Sequence, residues 1–415
     1  MKKFKLRSKE WFDNPDDPGL TALYLERYLN YGLKREDLQS GKPIIGIAQS
    51  GSDLSPCNRH FQALSKTIKD GIREAGGVPM EFPTHPIQET GKRPTAALDR
   101  NLSYLSLVEV LYGYPIDGVI LTTGCDKTTP AALMAAATVN IPSIVLSGGP
   151  MLDGNYKGKK AGSGTIIWEA RKLHAKGEID YDEFMDMAAA SAPSIGHCNT
   201  MGTASSMNSI AEALGMSLPG GAIIPAPYKE RTDISFKTGK RIVEMVFENL
   251  TPSKIMTKEA FENAVYVASA IGASSNCPPH LTAIARHMGV DFNLDQWEKL
   301  GHSIPLLANC QPAGEHLMEG FFKAGGIPAI MKELIKDKKL NVKALTVTGK
   351  TIEENLNMKI DVNRDVIKSY ENPLSHNAGF IVMKSNFFSS AVMKTSVISS
   401  EFRERYLSNK DSLNI

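Results

Sequence analysis

The feature that most constrains this chain is an alternation of short apolar runs with amphipathic stretches between residues 43 and 146. Pro43–Ala48, Val78–Phe82, Ile116–Leu121 and Ile144–Leu146 read as strands, with helices over Arg59–Ala75, Ala96–Leu111 and Pro130–Val139 between them. Strands this apolar need cover on both faces, and the intervening helices supply it. The expectation is an α/β fold, a parallel sheet flanked by helices. After Gly149 the period turns helical, over Tyr181–Ala190, Ala204–Leu214, Gly239–Glu248, Lys258–Ile271 and Leu281–His287. In front lies a polar, aromatic-rich arm with one helical stretch near Thr21–Gly32. Strand texture returns at Ala378–Ser385 and Ala391–Ile398, followed by too little chain to close a sheet unaided. The predicted organisation is an arm (1–40), an α/β unit (41–365) and the incomplete start of a further β-rich unit (366–415). That last piece reads either as an appendage or, preferably, as the cut edge of something longer.

A net charge of +2 over 415 residues offers no electrostatic reason to expect nucleic acid or a membrane surface as partner. The N-terminus is basic but lacks the apolar stretch of a secretory signal, and no apolar run is long enough to span a bilayer. A soluble, cytoplasmic protein is expected. Its five cysteines, at 57, 125, 198, 277 and 310, stand far apart and form no CxxC pair. That spacing disfavours a disulfide framework, a zinc ribbon and a thioredoxin-like site.

Three cysteines share a context. Cys57 in SGSDLSPCNRH, Cys125 in TTGCDKTTP and Cys198 in SAPSIGHCNTMGT follow apolar strands or sit in Gly- and Ser-rich loops. Ligands of an open parallel sheet bind outside the carboxyl ends of its strands, where at least two of these thiols should lie. Three converging thiolates would hold an iron–sulfur cluster and leave one iron open as a Lewis acid. The plainer alternative is that each is a small buried hydrophobe, and Cys277 and Cys310 are read that way. Asp126, beside Cys125, suits a hard cation such as Mg²⁺, and Glu89 is a second possible oxygen ligand. Taken alone, Asp126–Lys127 also fits a solvated loop pair and Glu89 an exposed surface carboxylate. Neither the Gly162 nor the Gly220–Gly221 region has phosphate-loop spacing, and no HExxH or Ser–His–Asp order emerges.

The segments SDLSPCNRH, GCDKTTPAALMAAATVNIPSIVLSGGPM and CNTMGTASSMNSIAEALGMSLPG together resemble the dihydroxy-acid dehydratase/phosphogluconate dehydratase family. EWFDNPDDPGLTALYLERYLNYGL and EFPTHPIQETGKRPTAALDRNLSYL are similar to its sugar-acid branch, which acts on arabinonate and xylonate. The resemblance implies a hydro-lyase that dehydrates an aldonate, a pentonate by preference, to a 2-keto-3-deoxy acid. It makes Cys57, Cys125 and Cys198 ligands of a [2Fe–2S] cluster, although three cysteines also suit [4Fe–4S]. Glu89 and Asp126 match Mg²⁺ ligands, and Lys127 matches a lysine that becomes an oxygen ligand on carbamylation. It further implies a homodimer or homotetramer, and a C-terminal β-barrel whose Gly- and Ser-rich motif carries the serine base. The sequence ends at Ile415 before any such motif, so a truncated form with little or no activity is expected. A dihydroxy-acid dehydratase of branched-chain amino-acid synthesis and a non-catalytic metal-binding relic are the alternatives.

Overall fold

The computed structural model describes residues 5–30, 32–87, 97–399, 401–402 and 404. Its centre is a parallel sheet of four strands, β1 (Ile44–Gln49), β2 (Val78–Pro83), β3 (Gly118–Thr123) and β4 (Ser143–Ser147). They lie in the order β2-β1-β3-β4, with Ile44 opposite Val78, Ile45 opposite Gly118 and Val119 opposite Ser143. Every residue of β1, β3 and β4 is buried, as apolar runs covered on both faces require, whereas edge strand β2 is buried only in part.

Three crossover helices connect the strands: α1 (Phe61–Glu74), α2 (Ala97–Gly113) and α3 (Thr128–Val139). From β1 the chain moves outward to β2, then returns over β1 to reach β3 and β4. Right-handed crossovers therefore put α1 on one face and α2 and α3 on the other. Further along come α4 (Thr203–Ala213), α5 (Lys229–Phe247), α6 (Lys258–Ala270), α7 (Cys277–Met288) and α8 (Leu294–Gly301). α5 joins α1 and covers β3 and β4, while α7 and α4 pack onto α3. Helix α5 begins ten residues before the apolar period predicts. Its first turns, KERTDISF, bury Arg231 and Ser235 rather than apolar side chains.

One core runs from Leu6 and Phe12 in the arm, through the sheet and helices, to Phe380 and Val382. The arm is tied down by the buried Asp117 carboxylate, which accepts from Ser8 N (3.1 Å) and Ile44 N (2.7 Å). A hairpin of β5 (Gly154–Tyr156) and β6 (Lys159–Ala161) and a second helical pair form a small satellite core around Ala161, Ile166, Ala170 and Met187. Late in the chain, β7 (Phe380–Met383) and β8 (Ala391–Lys394) make an antiparallel hairpin, shorter than the strand texture suggests. Phe380 meets the buried Trp297 of α8 edge-on, with ring centroids 5.1 Å apart.

Candidate cluster and metal site

The direction of winding reverses between β1 and β3, which opens a crevice at their carboxyl ends. Cys57 lies in the loop leaving β1, and Cys125 in the turn from β3 into α3. Asn58 locks the two loops together: its Nδ2 donates to Ser50 Oγ (3.1 Å) and its Oδ1 accepts from Cys125 N (3.0 Å). Gly124 is needed there, because a Cβ would sit 2.4 Å from Asn58 Oδ1. From α4, buried Asn208 reaches the same turn. Its Oδ1 accepts from Thr123 Oγ1 (2.9 Å) and Thr129 Oγ1 (3.2 Å), while Nδ2 donates to Gly124 O (3.2 Å) and Ala204 O (2.9 Å). All four hydrogen-bonding positions of that amide are filled, so the turn has little freedom to move.

Cys198 arrives by another route. Residues 196–198 lie along the segment that follows β4: His197 N donates to Gly149 O (3.0 Å), and Met151 N to His197 O (2.9 Å). The approach is close enough that a Cβ on Gly196, whose φ is +125°, would come within 2.6 Å of Met151 N. Beneath this segment Arg231 is fully buried. It donates to Ser147 O, Gly221 O and Ile224 O, within electrostatic reach of Glu212. Glu212 in turn accepts from Gly220 N (2.7 Å) and Ala222 N (2.9 Å). Burial pushes Arg231 down to about 9 and Glu212 up to about 7, and their mutual attraction opposes both shifts.

The three thiols end up as neighbours. Cys57 and Cys125 share a hydrogen bond, and that bond, ahead of burial and the charges of Cys125, Cys198 and Asp126, drives the Cys57 thiol far up. Burial, then Asp126 and Cys125, raises Cys198 to about 12. Acidic groups packed so closely keep their protons unless a metal replaces them, which is the behaviour of a thiolate ligand set. Among the described residues no three His, Cys, Asp or Glu side chains are gathered closely enough to hold a single ion.

Asp126 is half-buried and Lys127 buried, both immediately before α3, whose N-terminus favours negative charge. Glu89 lies outside the described residues. Cys277 and Cys310 are fully buried; Cys310 takes no part in the group, while Cys277 lies near enough to feel Asp126. Asn58, Asn208 and Arg231 escape a reading focused on thiols and carboxylates. The available signals were Asn58 beside Cys57 and Asn208 within the motif that follows Cys198.

Residues 42–355 match the family described as Dihydroxy-acid/6-phosphogluconate dehydratase N-terminal. The chain belongs to this dehydratase family. D-xylonate dehydratase of Caulobacter vibrioides is 59% identical to it over 97% of the chain and 68% of its own length. L-arabinonate dehydratase of Rhizobium leguminosarum bv. trifolii is 44% identical over 95% of the chain and 68% of its own length. Dihydroxy-acid dehydratase of Caldanaerobacter subterraneus subsp. tengcongensis is 39% identical over 90% and 68%. Dehydratases of this family use an iron–sulfur cluster and Mg²⁺. Among the described residues no helix is long and apolar enough to cross a membrane.

Proposed function

We propose that this dehydratase acts on a sugar acid, a pentonate by preference, and yields the 2-keto-3-deoxy acid. The observation that carries the reading is the convergence of Cys57, Cys125 and Cys198 on the crevice between β1 and β3, with Asp126 beside them. In this proposal the three cysteines hold a [2Fe–2S] cluster, with [4Fe–4S] as the alternative. Asp126, Glu89 and carbamylated Lys127 hold Mg²⁺, the part of Glu89 resting on family resemblance alone. When bound, the two centres supply the Lewis acidity that a poor hydroxide leaving group and a weakly acidic C2 proton require. The chain's own contribution is positional. Asn58 and Asn208 fix the Cys125 turn, and Arg231 and Glu212 support the segment that carries Cys198. Residues 41–365 would form the ligand-bearing unit, between the arm (1–40) and the segment 366–415, in a homodimer or homotetramer.

The higher identity to the xylonate and arabinonate enzymes favours a polyol substrate over a branched-chain dihydroxy acid. The test is iron and acid-labile sulfide per chain after anaerobic purification, followed by titration with D-xylonate, L-arabinonate and 2,3-dihydroxyisovalerate. Cluster loading with preference for an aldonate is expected. Absence of iron even after reconstitution would sink the cluster, and preference for the branched acid would sink the substrate class.

A further inference from the structure

The late hairpin turns a lysine inward. Lys394 stands directly opposite Phe380 in the β7–β8 register, and directly paired residues project from the same face of a hairpin. That face is the buried one: Phe380 is 1% exposed against Trp297, and Val382, next along it, is 7% exposed. The outward face carries Met383, 40% exposed. Lys394 therefore cannot be treated as an ordinary solvent-facing lysine at the end of a strand.

Its neighbourhood leads back to the cluster edge. The Lys394 ammonium interacts with Cys277 at the start of α7. Cys277 hydrogen-bonds Ser206 of α4 and feels the Asp126 carboxylate. The Ser274 backbone N–H donates to Ser206 Oγ (3.0 Å), and Ser274 Oγ pairs with Thr203 Oγ1 (2.8 Å) at the head of α4, the helix that follows Cys198. The hairpin end closes on this loop, for a Cβ on Gly272 would lie 3.2 Å from Ser396 Oγ. Among the described residues Lys394 forms no ion pair and no side-chain hydrogen bond, and the neighbouring Cys277 thiol, which burial keeps protonated, offers it no negative charge. A half-buried ammonium without a carboxylate gains from an anion that joins it.

We propose that Lys394 is a specificity-determining residue that pairs with the carboxylate of the acid substrate at the cluster edge. This rests on the sugar-acid reading above. An ammonium there separates an aldonate from the neutral sugar or polyol with the same hydroxyls. It adds charge-assisted hydrogen bonding at the end of the substrate that does not leave.

The test uses the 415-residue chain loaded with iron, sulfide and Mg²⁺, and calorimetric titration with D-xylonate and with its neutral amide, D-xylonamide. Lys394→Met should weaken D-xylonate by at least about tenfold, the smallest loss expected when one charge-assisted hydrogen bond goes. The response to D-xylonamide and the iron content should stay as in the parent, and Lys394→Arg should restore most of the D-xylonate affinity. If Lys394→Met does not fold, Lys394→Gln carries the same comparison. A parent that binds D-xylonate and a variant that binds it equally well overturn this inference alone. Equal loss of acid, amide and iron would show a structural lysine and overturn it too. A cluster-loaded parent that ignores D-xylonate overturns the sugar-acid reading and this inference with it.

Discussion

The cysteines at the sheet edge and the cysteine deep in the helical half differ less in being buried, since Cys125 and Cys310 both are, than in what surrounds them. Cys57, Cys125 and Cys198 have one another and Asp126 as neighbours, and their loops are clamped by buried asparagines. Cys310 is raised above the usual thiol range mainly by burial. Cys277 stands between the two cases, buried but facing Asp126 and Lys394. Burial alone therefore does not mark a ligand. Under the proposed cluster assignment, what marks it is a second acidic group close by that a metal could satisfy at the same time.

The largest effect should come from breaking the group itself. Cys125→Ser should lower iron and sulfide per chain by more than about tenfold, while Cys310→Ala leaves both unchanged. Equal retention in the two variants would erase the distinction between the regions. Beneath the edge, Arg231→Met leaves three buried backbone carbonyls without their donor, so a loss of about 3–5 kcal/mol in urea unfolding is expected. Next comes a matched pair of buried asparagines. Asn208→Ala and Asn263→Ala should each cost about 1–3 kcal/mol, the second because Asn263 exchanges hydrogen bonds with Asn341 in the helical half. Only Asn208→Ala should also speed iron loss to a chelator. Smallest of all, Cys310→Ala should change stability by about 1 kcal/mol, a packing effect without a chemical one.

Much of the fold was legible because it is written in periodicity. The strands of the sheet, the α1–α3 crossovers and the helix at Tyr181–Ala190 follow from apolar spacing alone. Where polar side chains do the packing, the same rule fails. The first turns of α5 are anchored by Arg231 and Ser235, and a hydrophobic period cannot register a buried arginine that spends its charge on carbonyls. The helix at Thr165–Ala175 also went unread. It begins behind Gly164 at φ +82°, so the glycines of GSGTIIW mark a helix start there rather than a loop. In the site, thiols and carboxylates announce their chemistry by type, and Cys57, Cys125, Cys198 and Asp126 could be nominated from motifs. Asn58 and Asn208 could not, since an asparagine's role depends on what its amide meets.

By itself the sequence determined the alternation that makes a parallel sheet, the loops that carry the thiols and the family to which the chain belongs. Each of these depends on neighbours along the chain or on motifs that stay intact in one dimension. The tertiary structure decided the rest: the reversal of winding between β1 and β3, the meeting of loops far apart in sequence, and the inward turn of Lys394. Those are set by strand order, crossover hand and hairpin register, which depend on how distant segments pack and leave no local trace in the residues they bring together.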